Sequence, residues 1–221
     1  RPGLGLAAAA VLAAGGAILL FWLAHAPRFP LPSIDPPPAD PRVAATLEKH
    51  LAEVKRQPRS GPAWGWLGAL LWVYDYRPQA WACLAQAERL DPANPRWPYY
   101  HGLALMIAAP TNAVEKFRQT TRICGNNPET PRLRLIRLLA EQGRWDEAQT
   151  EIDQLLDAKP DFTPARLLAA RAAHARGDVD AAIELARACT QDPRTTRAAW
   201  ALLAILLRTQ GDATAAAQAA Q

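Results

Sequence analysis

Three stretches of the sequence repeat one another: EQGRWDEAQTEI (residues 141–152), ARGDVDAAIELA (residues 175–186) and TQGDATAAAQAA (residues 209–220). Their glycines are Gly143, Gly177 and Gly211, spaced 34 residues apart, and each is followed five residues later by an alanine. Glycine can end a helix in the left-handed conformation that costs other residues energy, and a small alanine lets a second helix pack closely on the first. The spacing therefore predicts pairs of antiparallel helices that recur along the chain.

A more complete copy of this helix pair precedes these stretches. Its first helix carries Trp64, Leu67, Gly68 and Leu71, its second carries Ala80, Leu84 and Ala87, and Pro92 follows. This order and the 34-residue period resemble the tetratricopeptide repeat, in which two helices carry W-x2-L-G-x2-Y and a later alanine. Leu71 departs from the tyrosine of that pattern. The resemblance covers residues 61–221 and implies an all-α, right-handed superhelical solenoid, without specifying a function.

The repeats are expected to occupy residues 59–221, as about four full repeats and an incomplete fifth that opens near Arg197. The second repeat fits least well because Pro110 falls in a shortened turn, so we expect distorted helices there. Residues 42–58 have apolar side chains at spacings of three and four, which predicts an amphipathic helix that caps the first repeat.

The N-terminal part of the sequence predicts a membrane anchor. Leu4–Ala24 contains no charged residue, and its helical length of about 31 Å is close to the thickness of a bilayer core. A cleaved signal peptide is the alternative, but its apolar core would be shorter. Residues 1–26 are thus interpreted as a single transmembrane helix, and the proline-rich residues 27–41 as an extended tether. Because no polybasic stretch follows the anchor, we expect the repeats on the periplasmic or other extracytoplasmic side.

Composition narrows the classes of function. The chain is 50% hydrophobic and has 25 Lys and Arg against 21 Asp and Glu, a formal net charge of +4 without a dense basic run, which argues against nucleic-acid binding. Its three cysteines are widely spaced and predict no metal site; they are interpreted as small buried residues, although a Cys83–Cys124 disulfide stays open. No catalytic motif occurs, so the sequence predicts neither an enzyme nor a cofactor.

The first helix of each pair is expected to line the concave surface of such a solenoid. Its side chains that face away from the second helix form the predicted binding groove: Trp72, Arg96, Tyr99, Leu103, Met106, Arg134, Arg137, Arg171, His174 and Arg208. The early part is aromatic and apolar, and the later part is rich in arginine. Converging guanidinium groups suit a carboxylate of a partner protein, whereas the alternative is that these arginines are solvated or paired with local acids such as Glu141.

A membrane-anchored solenoid of this kind is similar to the repeat domain of bacterial cytochrome c maturation and assembly factors. The resemblance implies a protein-binding scaffold or assembly factor at a membrane, whose partner is a cytochrome or a subunit of a respiratory complex. The alternative is a permanent structural accessory subunit of a larger membrane complex. A dense group of aromatic residues, Trp64, Trp66, Trp72 and Trp97, is a second predicted docking surface.

Overall fold

The computed structural model describes residues 29–220, which contain eleven α-helices and no β-strand. In chain order the helices are α1 Pro41–Arg56, α2 Gly61–Val73, α3 Arg77–Leu90, α4 Arg96–Leu105, α5 Pro110–Cys124, α6 Thr130–Glu141, α7 Trp145–Ala158, α8 Thr163–Ala175, α9 Val179–Ala188, α10 Thr196–Gln210 and α11 Ala213–Ala219. Helices α2 to α11 form five consecutive pairs, each pair packed on the next, and α1 packs on α2. This is the all-α solenoid expected from the 34-residue period.

The predicted transmembrane helix, Leu4–Ala24, lies outside the described residues. Within residues 29–220, no helix combines the length and the apolar composition that crossing a bilayer requires.

Proline marks the beginning of many of these helices. Six of them carry a proline in their first or second position: α1, α2, α3, α5, α6 and α8. Proline is favoured there because its missing N–H would have no partner within the helix anyway. Pro110, which predicted distortion in the second repeat, instead begins a regular helix of 15 residues. The irregularity falls on α4, which has only 10 residues and ends at Leu105.

The turns between the paired helices are built as the repeating glycines predict. Gly143, Gly177 and Gly211 have φ angles of 71°, 85° and 91°, in the left-handed region. Asp75 stands two periods before Gly143 and has φ 66°, so it makes the same turn in the first repeat without glycine. Aspartate tolerates this region better than most residues do.

The core consists of apolar side chains between and within the pairs. Gly68 lets α2 approach α3, because a Cβ atom there would lie 2.7 Å from Cγ of Leu84. Trp64 and Trp97 are each 1% exposed, so two of the four tryptophans of the predicted aromatic docking surface belong to the core.

Cys83, Cys124 and Cys189 are free thiols, and Cys124 is only partly buried. Burial raises the pKa of the Cys83 thiol to about 12, which makes it unreactive at neutral pH.

The proline-rich segment packs against the first repeat. We call residues 29–36 the N-terminal strap. The Phe29 ring meets the Trp64 ring edge-on at 5.5 Å, and the Tyr76 hydroxyl donates a hydrogen bond of 2.8 Å to the carbonyl of Pro36. Gln79 Nε2 donates a further bond of 3.1 Å to the carbonyl of Ser33. Residues 29–40 form neither helix nor strand, and this part of the predicted tether is docked on the first repeat. The strap and α1 together cover the end of the solenoid.

Candidate partner-binding groove

The inner surface of the solenoid is formed by the first helices of the pairs. Helix α2 contacts α4, α6 contacts α8, and α8 contacts α10, in addition to the contacts within each pair. Three cavities, of about 300, 350 and 660 Å³, open along these helices. We call this row of cavities the groove.

One end of the groove is apolar and aromatic. The 300 Å³ cavity is lined by His50, Trp66, Ala69, Leu70, Trp72, Val73 and Tyr100. The 350 Å³ cavity is lined by Trp72, Asp75, Arg77, Leu103, Ala104, Met106, Ile107, Ala108 and Arg134. Trp72 lines both cavities and so lies between them. Ile107 is 86% exposed and Val73 is 67% exposed, so this end of the groove presents apolar side chains to solvent.

The other end of the groove is basic. The 660 Å³ cavity lies between α6, α8 and the start of α10 and is lined by Leu133, Arg137, Ala140, Glu141, Trp145, Pro164, Leu167, Leu168, Arg171, Arg194, Thr195 and Ala198. Arg137 and Arg171 are exposed, and their guanidinium groups make no ion pair or hydrogen bond with any residue in 29–220. Glu141 is the single acidic residue of the lining. The exposed charge of this cavity is therefore positive.

Arg194 enters the same cavity in a fixed position. Its Nη2 lies 2.6 Å from Oδ2 of Asp192, its guanidinium lies 5.6 Å from the centre of the Phe162 ring, and Thr163 donates a hydrogen bond to the same carboxylate. The hydrogen bonds from Arg194, first of all, and from Thr163 lower the pKa of Asp192 well below its usual value. This network aligns Arg194 and leaves Arg137 and Arg171 as the cations that a partner can engage.

Residues of the groove recur with the 34-residue period. Three columns of equivalent positions line the cavities: Trp66, Tyr100, Arg134 and Leu168; Ala69, Leu103, Arg137 and Arg171; and Val73, Ile107 and Glu141. Within one helix these positions are spaced by three and four residues, which places them on one face. The same backbone positions thus carry apolar residues in the first two repeats and charged residues in the third.

Residues 133–195 match the family model described as the tetratricopeptide repeat. These residues are tetratricopeptide repeats. No curated protein matches the sequence. Among solved structures, the chain is similar to YrrB, described as a tetratricopeptide-repeat protein with an unusual peptide-binding site. The TM-score is 0.63 at 16% identity, over 78% of this chain and 89% of that chain.

Two further solved structures show the same fold. PilW, a widely conserved type IV pilus biogenesis factor, is 20% identical with a TM-score of 0.62, over 80% of this chain and 82% of its own. MamA from Desulfovibrio magneticus RS-1, from its residue 41 to its end, is 16% identical with a TM-score of 0.63, over 72% of this chain and 90% of its own. Similarity at this level shows a shared fold and does not identify a partner.

The groove brings together six of the ten residues predicted for it: Trp72, Leu103, Met106, Arg134, Arg137 and Arg171. The other four, Arg96, Tyr99, His174 and Arg208, line none of these three cavities. Tyr99 packs towards α5, with its ring 5.8 Å from that of Phe117. Nδ1 of His174 is buried and has no partner among the described residues.

Several residues that line the groove were not among those predicted, and Tyr100, Ile107 and Arg194 are the most informative of them. Tyr100, next to the predicted Tyr99, faces the groove, and the signal that identifies it is its position one period from Trp66 and from Arg134. Ile107 and Arg194 lie in turns outside the first helices of the repeats, whereas the predicted groove was confined to those helices. No periodic signal points to Arg194, because its position depends on the local contact with Asp192.

Charged residues outside the groove join neighbouring repeats. Glu88 on α3 accepts hydrogen bonds from His101 Nδ1 on α4 at 2.6 Å and from Lys116 Nζ on α5 at 2.7 Å. Burial alone would raise the pKa of Glu88, but these two bonds outweigh it and hold that pKa below its usual value. Glu147 at the start of α7 is held by Arg144 and Arg118. These carboxylates are therefore structural.

Proposed function

We propose that this protein is a scaffold that binds a segment of a partner protein in the groove. The observation that carries the proposal is the groove itself, in which two mainly apolar cavities lie at one end and a cavity with two arginines that have no partner among residues 29–220 lies at the other. The tetratricopeptide fold is consistent with protein–protein interaction, and proteins of this fold are typically interaction scaffolds rather than enzymes.

The chemistry of the groove defines the segment that fits it. Apolar side chains of the segment would contact Trp72, Leu103 and Ile107, since large exposed apolar surfaces favour burial. A carboxylate would be bound by Arg137 and Arg171, because a guanidinium donates two hydrogen bonds in a fixed fork that matches it. The preferred ligand is a peptide with an apolar half and an acidic half.

We further propose that the protein acts at a membrane. The support is the uncharged apolar run Leu4–Ala24 in the sequence, which is long enough to span a bilayer. The lack of a polybasic stretch after this run favours the repeats on the extracytoplasmic side. A partner from a cytochrome or respiratory complex is supported by the resemblance to cytochrome c maturation factors. The rival proposal, a permanent accessory subunit, would require a fixed stoichiometry with one membrane complex after gentle solubilisation.

Partner capture from gently solubilised membranes tests the groove. The full chain carrying Arg137→Ala and Arg171→Ala is compared with the wild type and with a control carrying Arg42→Ala and Arg176→Ala, which removes two exposed arginines outside the groove cavities. We expect the groove variant to bind the partner that the wild type captures at least about ten-fold more weakly, because the substitutions remove charge-assisted hydrogen bonds. Equal retention by all three proteins would remove the carboxylate-binding role of these arginines.

A further inference from the structure

Basic side chains collect at one edge of the first part of the solenoid. This is the edge where α1 leads into α2, α3 into α4, and α5 into α6. We call the exposed residues Lys55, Arg59, Arg89, Arg96 and Arg122 the basic edge. The side chains of Lys55, Arg96 and Arg122 make no ion pair or hydrogen bond with any residue among 29–220.

The acidic residues near the basic edge are already engaged. Glu53 pairs with Arg56 at 2.7 Å. Asp91 accepts a hydrogen bond of 2.9 Å from the indole of Trp97, and Glu129 pairs with Lys159. Glu53 and Glu129 are therefore neutralised by partners of their own, and Lys55, Arg96 and Arg122 have no acidic partner among residues 29–220.

The opposite edge of the same repeats has a different character. The turns there join α2 to α3 and α4 to α5. The first turn holds Asp75 and Arg77 as an ion pair at 2.6 Å, and the second exposes the apolar Ile107. These two turns therefore carry no excess positive charge.

The N-terminal strap fixes where the chain enters the solenoid. Phe29 packs on Trp64 at the start of α2, and the guanidinium of Arg89 near the end of α3 lies 5.8 Å from the centre of the Phe29 ring. Both neighbours lie at the basic edge. The five peptide units between Ala24 and Phe29 can reach at most about 18 Å. A membrane span that ends at Ala24 would therefore hold this edge close to the bilayer surface.

We infer that the basic edge lies against anionic lipid headgroups and sets the orientation of the solenoid on the membrane. This inference rests on the membrane span proposed above. Lysine and arginine near an anionic leaflet are attracted to its phosphate groups, an effect that extends for about a Debye length and weakens with salt. The basic edge then faces the bilayer, and the opposite edge, which carries Ile107, faces away. The groove runs between the two edges and is open to a partner from the side.

Headgroup quenching measures this orientation in the full chain. A fluorophore is attached to Ala93→Cys in the loop between α3 and α4 at the basic edge, or to Asn112→Cys near the start of α5 at the opposite edge. Both proteins also carry Cys124→Ser, because the two remaining cysteines are buried. The proteins are reconstituted in phosphatidylcholine vesicles with about 30% phosphatidylglycerol and a nitroxide-headgroup lipid as the quencher.

We expect the label at position 93 to be quenched at least about two-fold more than the label at position 112 at low salt, with the difference shrinking in high salt. The triple variant Lys55→Gln, Arg96→Gln and Arg122→Gln should lose this difference. A control with Arg42→Gln, Lys49→Gln and Arg176→Gln removes three exposed cations elsewhere and should keep it.

Flotation with neutral phosphatidylcholine vesicles tests the span separately. A chain that floats with neutral vesicles but shows equal quenching at both labels would keep the anchor and overturn the inference. A chain that floats only with anionic vesicles, with the label at position 93 more quenched, would support the basic edge and remove the anchor. Loss of the quenching difference in the control variant as well would also overturn the inference.

Discussion

The turn at Gly143 shows how single residues set the backbone of a repeat. Its φ of 71° lies in the left-handed region, and an added Cβ atom would meet no other atom within 4 Å. Only the backbone conformation therefore opposes a side chain at this position. Asp75 adopts φ 66° at the corresponding place in the first repeat, which shows that a polar residue of this type can make the turn.

Replacing Gly143 separates conformational strain from packing. Gly143→Ala should lower the free energy of unfolding by about 1 kcal/mol, because alanine pays the full cost of the left-handed region. Gly143→Asn should lower it by about half as much, since asparagine visits this region more readily. Chemical denaturation followed by circular dichroism measures both. An alanine variant as stable as the wild type would contradict this account of the turn.

At the scale of elements, neighbouring repeats are joined by buried polar contacts as well as by apolar packing. Glu88 is 9% exposed, and it connects α3 to His101 on α4 and to Lys116 on α5. A buried carboxylate with two donors is costly to disturb, because loss of its charge leaves both donors without a charged acceptor.

Glu88→Gln should therefore lower the free energy of unfolding by about 2 kcal/mol. The matched control is Glu115→Gln, which breaks an exposed pair between residues one turn apart on α5 and should cost less than about 0.5 kcal/mol. Urea denaturation of both variants makes the comparison. Equal effects of the two substitutions would show that the buried cluster does not stabilise the junction.

The contribution of Glu147, at the start of α7, to the free energy of unfolding should depend on pH. Hydrogen bonds from Arg144 and then Arg118 lower the pKa of Glu147 to about 2, whereas an unperturbed glutamate titrates near about 4.3. A carboxylate whose pKa is lowered in the folded state stabilises that state fully above about pH 5, and this stabilisation is lost as the pH falls towards 2. The stability difference between the wild type and Glu147→Gln should therefore be smaller at about pH 3 than at pH 7. A difference that does not change with pH would contradict the paired carboxylate.

The helix pairs and their turns could be predicted from the sequence because both depend on local residues at a fixed period. The choice between Tyr99 and Tyr100 was harder, since adjacent residues lie only about 100° apart around a helix and the tilt of α4 decides which one faces the groove. The docked strap could not be predicted. Proline composition specifies an extended backbone, whereas the bond from Tyr76 to Pro36 joins residues 40 positions apart.

At the scale of the whole molecule, the groove changes character along its length while its backbone positions stay equivalent. One column of equivalent positions, spaced 34 residues apart, is apolar at Ala69 and Leu103 and basic at Arg137 and Arg171. The solenoid is thus a regular frame whose groove changes from apolar to basic side chains along its length. The strap at one end and the basic edge beside it would fix how this groove is presented at a membrane.

Site-specific photo-crosslinking in native membranes tests most directly whether the groove is the binding surface. A photoreactive amino acid is placed at Ala140, which lines the basic cavity, or at Thr150, which is exposed on the second helix of the same repeat. The groove account predicts a partner adduct from position 140 that weakens when Arg137→Ala and Arg171→Ala are added, and none from position 150. An adduct that forms from position 150 but not from position 140 would contradict it.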